Sequence, residues 1–156
     1  MYIFNIKKSP NNILMTEFKA NAILDALENE TNASIMELTT EKIQTQKNNM
    51  LQRLQLSRNK LKEFHKKLKK YRYCSDLKDI QYGFYIRWIP LRNPEKIILT
   101  NGGIVCEIKI TENGTYIVCK NRFNNIFQLK FDECLIFQKI SQQEAVILKV
   151  LDYLVK

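Results

Sequence analysis

The longest regular pattern of apolar residues runs from residue 43 to residue 71. Positions on this pattern recur at alternating spacings of four and three, with Lys47 and Ser57 as its polar interruptions. Neither Gly nor Pro occurs between Thr39 and Arg72, and Thr39 or Thr40 can cap the start of a helix. The pattern predicts a helix over about 39–72 whose narrow apolar seam packs against another helix, as in a coiled coil. The seam comprises Ile43, Met50, Leu54, Leu61, Phe64, Leu68 and Tyr71.

A shorter helix is predicted at about 17–29, after the potential cap Thr16. Ala22, Ile23 and Leu27 fall toward one side of it. The sequence leaves open whether the seam closes on this helix or on another chain. An unpartnered seam predicts self-association. Residues 1–6 alternate only briefly and are predicted to be a short strand or an extended arm.

From Tyr82 the apolar period changes from helical to two, which is typical of strands. The first strand, 80–89, ends at Pro90, and Glu112-Asn113-Gly114 is a strong hairpin signal. Because the turns between successive segments are short, the strands are predicted to form an antiparallel meander of five or six. The further strands are predicted at 96–100, 102–111, 115–120, 126–131 and 134–140.

The chain ends in a predicted helix at about 142–155. Ser141-Gln-Gln-Glu144 matches a capping box, and Ile147, Leu151 and Leu154 fall on one face. We therefore expect an α+β fold in which a long N-terminal helical arm precedes an antiparallel sheet that the terminal helix closes. The predicted domains are the arm, 1–74, and the sheet domain, 75–156.

The net charge of +9 is concentrated on twenty consecutive residues. Residues 53–72 carry nine Lys or Arg and one acid, Glu63, whereas the flanking segments are close to neutral. These basic residues fall off the seam, so the apolar stripe and the cationic surface can act independently. The candidate partner-binding face comprises Arg58, Lys62, Lys66, Lys67, Lys69, Lys70 and Arg72.

Three uses of this basic surface remain open: a solvated face, a contact with an acidic protein, and a contact with nucleic acid. Lysines neutralise phosphates without reading sequence, and the excess of Lys over Arg favours such point-charge contact. A membrane-surface helix has a broader apolar face than this seam.

No catalytic or metal-binding signature accompanies the basic segment. His65 is the single histidine, and it is predicted to be an exposed, solvated imidazole. The four cysteines include no CxxC pair, and Cys106 and Cys119 face each other only if the hairpin loop holds four residues. We expect no enzymatic activity, no metal and no cofactor. No signal peptide or spanning segment is recognised, so an intracellular location is expected.

Three segments, 85–91, 96–110 and 127–141, resemble uncharacterised proteins of nucleocytoplasmic large DNA viruses. They read YIRWIPL, KIILTNGGIVCEIKI and FQLKFDECLIFQKIS, and the resemblance covers about 80–156. It implies a minor capsid protein that cements major capsid protein units in the virion, and it implies no residue-level roles.

The leading interpretation is accordingly a non-enzymatic structural protein that contacts other subunits of a larger assembly. The alternative is a nucleic-acid-binding module that uses the basic helix 53–72.

Overall fold

The computed structural model describes residues 20–155, which belong to two compact units. The first unit contains the described residues up to Leu38 together with those from Gln142 onward, and the second spans Thr39–Ser141. The predicted strand at 1–6 and the beginning of the predicted helix at 17–29 lie outside the described residues.

In residues 20–155, three α-helices precede six strands and a fourth α-helix follows them. The helices are α1 (20–28), α2 (Thr40–Gln52), α3 (Arg58–Lys67) and α4 (Gln142–Leu154). The strands are β1 (Tyr71–Tyr73), β2 (Tyr85–Pro90), β3 (Gly103–Thr111), β4 (Gly114–Lys120), β5 (Ile126–Lys130) and β6 (Cys134–Lys139). Short 3-10 helices occur at Glu30–Ile35, Leu77–Asp79 and Phe131–Glu133.

In the first unit, two asparagines connect the N-terminal segment to α4. The Asn29 side chain accepts a hydrogen bond from the Thr31 amide at 3.0 Å and donates one to Gln143 Oε1 at 2.7 Å. The buried Asn32 amide donates to Ala26 O at 2.9 Å and to Gln143 Oε1 at 3.2 Å. The predicted C-terminal helix is confirmed as α4.

The second unit contains a six-stranded sheet in the order β1-β6-β2-β3-β4-β5, and every neighbouring pair is antiparallel. Strands β2 to β5 follow one another as in a meander, whereas β6 returns to lie between β1 and β2. The predicted hairpin is confirmed, since Thr111 pairs with Gly114 around a two-residue loop. The predicted α+β class and antiparallel sheet are therefore confirmed.

The prediction of one helix over 39–72 is wrong, and with it the long helical arm. Helix α2 ends at Gln52, Gln55 adopts a left-handed conformation with φ 53°, and α3 begins at Arg58. Ser57, which the pattern treats as a polar interruption, caps α3 by accepting a hydrogen bond from the Lys60 amide at 3.3 Å. Backbone amides lack a carbonyl partner only at the start of a helix, and Ser57 supplies one for Lys60. Ser57 therefore lies at the start of α3 and not within a continuous helix.

Two strand predictions also need correction. Residues 81–84 form a turn with Gly83 at φ 81°, so β2 begins at Tyr85 and not at residue 80. Residues 96–100 are not a strand, although Ile97 and Leu99 are buried. This segment is joined to β2 at Thr100, whose amide donates to Trp88 O at 3.0 Å. Burial of alternate side chains therefore gives the segment a strand-like pattern without a ladder of backbone pairs.

The sheet has a core on each face because its residues point alternately to opposite sides. On one face, Leu135 and Phe137 of β6 pack with Ile89, with residues of α2 and α3 against them. On the other face, Ile136 of β6 packs in one cluster with Leu129 of β5. Three strands separate β5 from β6 in the sheet order, so the sheet must curl to bring these residues into one core. A β-bulge between Val105 and Glu107 adds to the bend.

Candidate functional site

The apolar seam predicted for residues 43–71 is covered within the second unit. Phe64, Leu68 and Tyr71 are buried in the cluster that includes Leu135 and Phe137 of the sheet. Ile43 is also buried, and three other seam residues are partly buried against the same cluster: Met50, Leu54 and Leu61. These side chains pack on a sheet and not on a second helix of a coiled coil.

In α2, the third buried position is Leu51, whereas the predicted seam has Met50 there. The buried residues of α2 are Ile43, Lys47 and Leu51, which recur every four residues along one side of the helix. Leu51 is fully buried, whereas Met50 is only partly buried. Sequence reasoning missed Leu51 because the break at residues 53–57 shifts the phase between α2 and α3.

Six of the seven predicted basic residues are exposed. Arg58, Lys62 and Lys66 lie four residues apart on α3, so successive members are about 6 Å apart along the helix axis. Lys69 and Lys70 follow in the turn before β1. The exposed residues are Arg58, Lys62, Lys66, Lys67, Lys69 and Lys70.

Arg72 does not belong to this exposed surface, contrary to the prediction. It lies in β1, where alternation directs it to the face opposite that of Tyr71, and it is 2 % exposed. Its guanidinium donates to Asp79 O at 3.1 Å. If residues 68–73 were helical, as predicted, Arg72 would face solvent. Because residues 71–73 form a strand, it faces the protein interior.

One acidic side chain lies within the basic surface. Lys67 Nζ contacts Glu63 Oε2 at 2.8 Å, one turn earlier on α3. This hydrogen bond and the Lys67 charge lower the pKa of the Glu63 carboxyl. The pair is solvent-exposed, so it contributes little to stability.

The sheet contributes a further lysine next to this surface. Lys139, at the end of β6, is exposed and pairs with Tyr71 of β1. The Ile140 amide donates to Lys70 O at 2.9 Å, which holds the lysine-bearing turn beside the end of β6. We name the surface formed by the six exposed residues and Lys139 the basic surface. Lys139 has no sequence signal of its own, because only the fold brings β6 beside β1.

A buried lysine of α2, Lys47, holds the end of α3 in place beneath the basic surface. Its side chain is 1 % exposed, and Nζ donates to Leu68 O at 2.8 Å and to Tyr71 O at 3.0 Å. Burial lowers the pKa of this ammonium group. Both carbonyls lie where α3 ends and β1 begins, and a cation is favoured at the C-terminus of a helix. The contact therefore joins α2 to that junction.

His65 is partly buried, whereas we predicted an exposed, solvated imidazole. Burial, followed by the nearby charge of Lys47, lowers its pKa. The neutral ring is therefore favoured on α3, and the positive charge of the basic surface comes from its lysines and arginine.

A concave pocket of about 550 Å³ opens in the second unit, within the range of small-molecule sites. Sequence reasoning missed it, because its residues come from β2, β5 and two loops that precede β3 and β5. Its lining includes Tyr85, Trp88, Asn101, Arg122, Phe123 and Phe127.

Aromatic rings and a guanidinium dominate the pocket. The rings of Trp88 and Phe127 meet edge to face with centroids 6.3 Å apart. The Arg122 guanidinium lies 4.9 Å from the centroid of the Phe123 ring, a cation–π distance. Trp88 is nearly buried, whereas Phe127 is 43 % and Phe123 68 % exposed. The pocket therefore has a fixed apolar base and an accessible aromatic rim.

Hydrogen bonds hold the two pocket loops in place. Asn121 Oδ1 accepts from the amides of Phe123 and Asn125, both at 2.9 Å. The Tyr85 hydroxyl donates to Asn101 O at 2.7 Å. Gly102 adopts φ 90° against β2, and a Cβ there would collide with the Ile86 carbonyl oxygen. The pocket is therefore preformed by interactions that the sequence indicates only as turns.

The cysteines form no reactive cluster within the described residues. The hairpin loop holds two residues, so Cys119 opposes Val105, and Cys106 occupies the bulge on the exposed side. All four cysteines lie in the described part of the chain, and none of them forms a disulfide. Burial raises the pKa of Cys119 to about 12 and that of Cys134 to about 11, which favours the neutral thiols. Within residues 20–155, no group of three His, Cys, Asp or Glu side chains is placed to hold a metal ion.

Comparisons with known proteins return no family assignment. No family model matches the chain, and no curated protein and no solved structure is significantly similar to it. In the described part of the chain, no helix combines the length and apolarity needed to cross a bilayer.

Proposed function

We propose that the protein binds nucleic acid through the basic surface of α3, the following turn and the end of β6. The observation that carries this proposal is the division of α3 and the turn after it between two sides. Phe64 and Leu68 are buried against the sheet, while Lys62, Lys66, Lys69 and Lys70 are exposed. The apolar side is thus occupied by the protein's own core, and the cationic side remains available to a partner.

The chemistry of the surface favours the phosphate backbone as that partner. Each lysine supplies a point charge that neutralises a phosphate and releases a counterion. The helix presents successive charges about 6 Å apart on a rigid element. Such interactions give affinity that depends on salt and little on sequence.

The test is a salt series of binding to a fluorescently labelled DNA duplex, measured by anisotropy. The variant changes Lys66, Lys67, Lys69 and Lys70 to Gln. We expect it to lose most of the affinity. The slope of log K against log salt is expected to fall by about 0.9 for each phosphate that the variant no longer neutralises.

A matched control removes the same charge elsewhere. Changing Lys78, Lys96, Lys109 and Lys149, which are exposed and lie outside the basic surface, to Gln lowers the net charge by the same four units. Equal loss of affinity in both variants would refute a localised surface. Binding that is weak at every salt concentration in the wild-type protein would refute the proposal.

Assembly with other protein subunits is the second candidate. Strand β5 lies at an edge of the sheet, and its Ile126 is 70 % exposed. An edge strand with apolar side chains is a template for pairing with another chain. The resemblance of residues 80–156 to uncharacterised proteins of nucleocytoplasmic large DNA viruses implies a minor capsid role and favours the same candidate, with major capsid protein as the expected partner.

Light scattering after size-exclusion chromatography tests this second candidate. We expect an oligomer in the wild-type protein and a monomer in Ile126→Lys, because a lysine at a sheet edge disfavours strand addition. If the wild-type protein is a monomer at all accessible concentrations, self-assembly through β5 is refuted.

A further inference from the structure

The aromatic pocket lies at a defined separation from the basic surface within the second unit. Lys139 pairs with Tyr71, and because Gln138 pairs with Ile86, Lys139 lies opposite Tyr85 on its other side. Neighbouring strands are about 4.8 Å apart, so Tyr71 and Tyr85 are separated by about 10 Å across β6. Tyr85 lines the pocket. The Tyr85 wall of the pocket therefore lies about 10 Å from Tyr71, at the end of β6.

The residues between Tyr71 and the Tyr85 wall share one face of the sheet, whereas Trp88 packs in the cluster on the opposite face. Directly opposed residues of antiparallel strands project to the same side, so Tyr71, Lys139 and Tyr85 form a row. Lys139 is exposed at the centre of this row. A backbone phosphate that crosses from the turn at Lys70 toward the pocket thus has a cation beside its path.

The composition of the pocket suits a planar ring attached to an anion. Phe123 and Phe127 offer accessible aromatic surface, and every nucleobase has a face that stacks on such rings. The Arg122 guanidinium, held over Phe123, places a positive charge at the rim where the phosphate of a bound nucleotide would lie. Asn101 and Asn121 add amide groups to the lining.

We propose that this pocket receives an unpaired base of a single-stranded nucleic acid whose phosphates lie on the basic surface. This inference rests on the proposed function and narrows its substrate class. A paired base is stacked within the duplex and cannot enter a pocket without being unstacked. The protein therefore prefers single strands to duplexes, and the pocket, not the lysines, provides the preference.

Trp88 gives a direct readout of occupancy, because it is the only tryptophan in the chain and lies in the pocket. The experiment compares a labelled oligothymidine strand with a duplex of the same length, by anisotropy and by Trp88 emission. We expect about tenfold tighter binding of the single strand, the effect of stacking one base. We also expect Trp88 emission to change with the single strand and to stay constant with the duplex.

Two variants separate the pocket from the basic surface. Phe123→Ala is expected to reduce single-strand affinity to that of the duplex and to leave duplex affinity unchanged. Phe123 is 68 % exposed, so its removal spares the core. Tyr82→Ala is the matched control, since Tyr82 is 61 % exposed and lies outside the pocket lining. It is expected to keep the wild-type preference.

The failures of the two proposals differ. Salt-dependent binding of equal strength to both nucleic acids, with constant Trp88 emission, overturns the pocket and leaves the proposed function intact. Absence of binding to either nucleic acid overturns the proposed function. A single-strand preference that survives Phe123→Ala likewise overturns the assignment to this pocket.

Discussion

The buried ammonium group of Lys47 is held by backbone carbonyls of Leu68 and Tyr71. Burying such a group costs free energy, which these two hydrogen bonds and the adjacent helix end offset in part. The lowered pKa of Lys47 records the remaining cost. In sequence, Lys47 stands out only as a polar interruption of the predicted seam, and its partners cannot be predicted because only the fold places the end of α3 within its reach.

Lys47→Met preserves the length of the side chain and removes its donors. We expect the free energy of unfolding to fall by about 1–3 kcal/mol, since the Tyr71 carbonyl loses its Lys47 donor and the Leu68 carbonyl keeps only the Tyr71 amide. Urea denaturation provides the measurement. Lys62→Met, at an exposed position on α3, serves as control and is expected to stay within about 0.5 kcal/mol of wild type. If Lys47→Met were as stable as wild type, the two hydrogen bonds would contribute no more free energy than burial of the ammonium group costs.

The Cys119 thiol gives a pH-dependent contribution with a defined sign. Burial raises its pKa from 9.0 to about 12, so the folded protein holds this proton more tightly than the unfolded chain. The stabilisation is complete below the unfolded pKa and is lost as the pH rises from 9.0 toward 12. Cys119→Ala removes this dependence.

We expect the fall in unfolding free energy from about pH 7 to about pH 10 to be about 1.4 kcal/mol smaller in Cys119→Ala than in wild type. Denaturant unfolding at both pH values measures it. Because each protein is compared with itself, the cavity left by the substitution cancels. The same pH dependence in both proteins would contradict the assignment.

Local sequence rules succeed where one element determines its own geometry. The Glu112-Asn113-Gly114 signal predicts the β3–β4 hairpin, and Ser141 precedes α4 as expected. They fail between residues 53 and 73, where helix propensity continues but the chain turns and enters the sheet. Tyr71 and Tyr73 are strand residues because β6 offers them backbone partners, and no local pattern reveals that pairing.

The candidate site also contains residues that the sequence predicts and residues that it does not. The lysines of α3 are predicted from composition alone, because solvent exposure is the default for such side chains. Arg72 is misassigned since its direction depends on whether residues 71–73 are helix or strand. The pocket escapes prediction because Trp88, Phe123 and Phe127 meet only when the sheet curls.

Ser57 is the residue on which the separation of α2 from α3 depends most directly. Ser57→Ala is expected to lower the free energy of unfolding by about 1 kcal/mol, since the Lys60 amide loses its acceptor. Thermal or urea unfolding measures it. Ser75→Ala, at an exposed position in a loop, is the control and is expected to have little effect. An unchanged stability in Ser57→Ala would indicate that packing alone starts α3.

For the molecule as a whole, a nucleic acid that binds only the folded protein raises its free energy of unfolding. A single-stranded oligonucleotide present at about one hundred times its dissociation constant is expected to add about 2.7 kcal/mol to the free energy of unfolding. The variant lacking Lys66, Lys67, Lys69 and Lys70 is expected to gain almost nothing under the same conditions. Thermal scans with and without oligonucleotide test this, and equal gains in both proteins would place the binding site elsewhere.

The position of β6 has a consequence for the order in which the chain matures. It is the last of the six described strands to be synthesised, yet it lies between β1 and β2 and supplies Leu135 and Phe137 to the core beneath the helices. On a ribosome, β2 to β5 can pair as soon as they emerge, whereas β1 has no neighbour in the described sheet until residues 134–139 follow. The lysine-bearing surface is therefore completed only after β6, so a nascent chain carries its positive charge on unanchored helices until residues 134–139 have been synthesised.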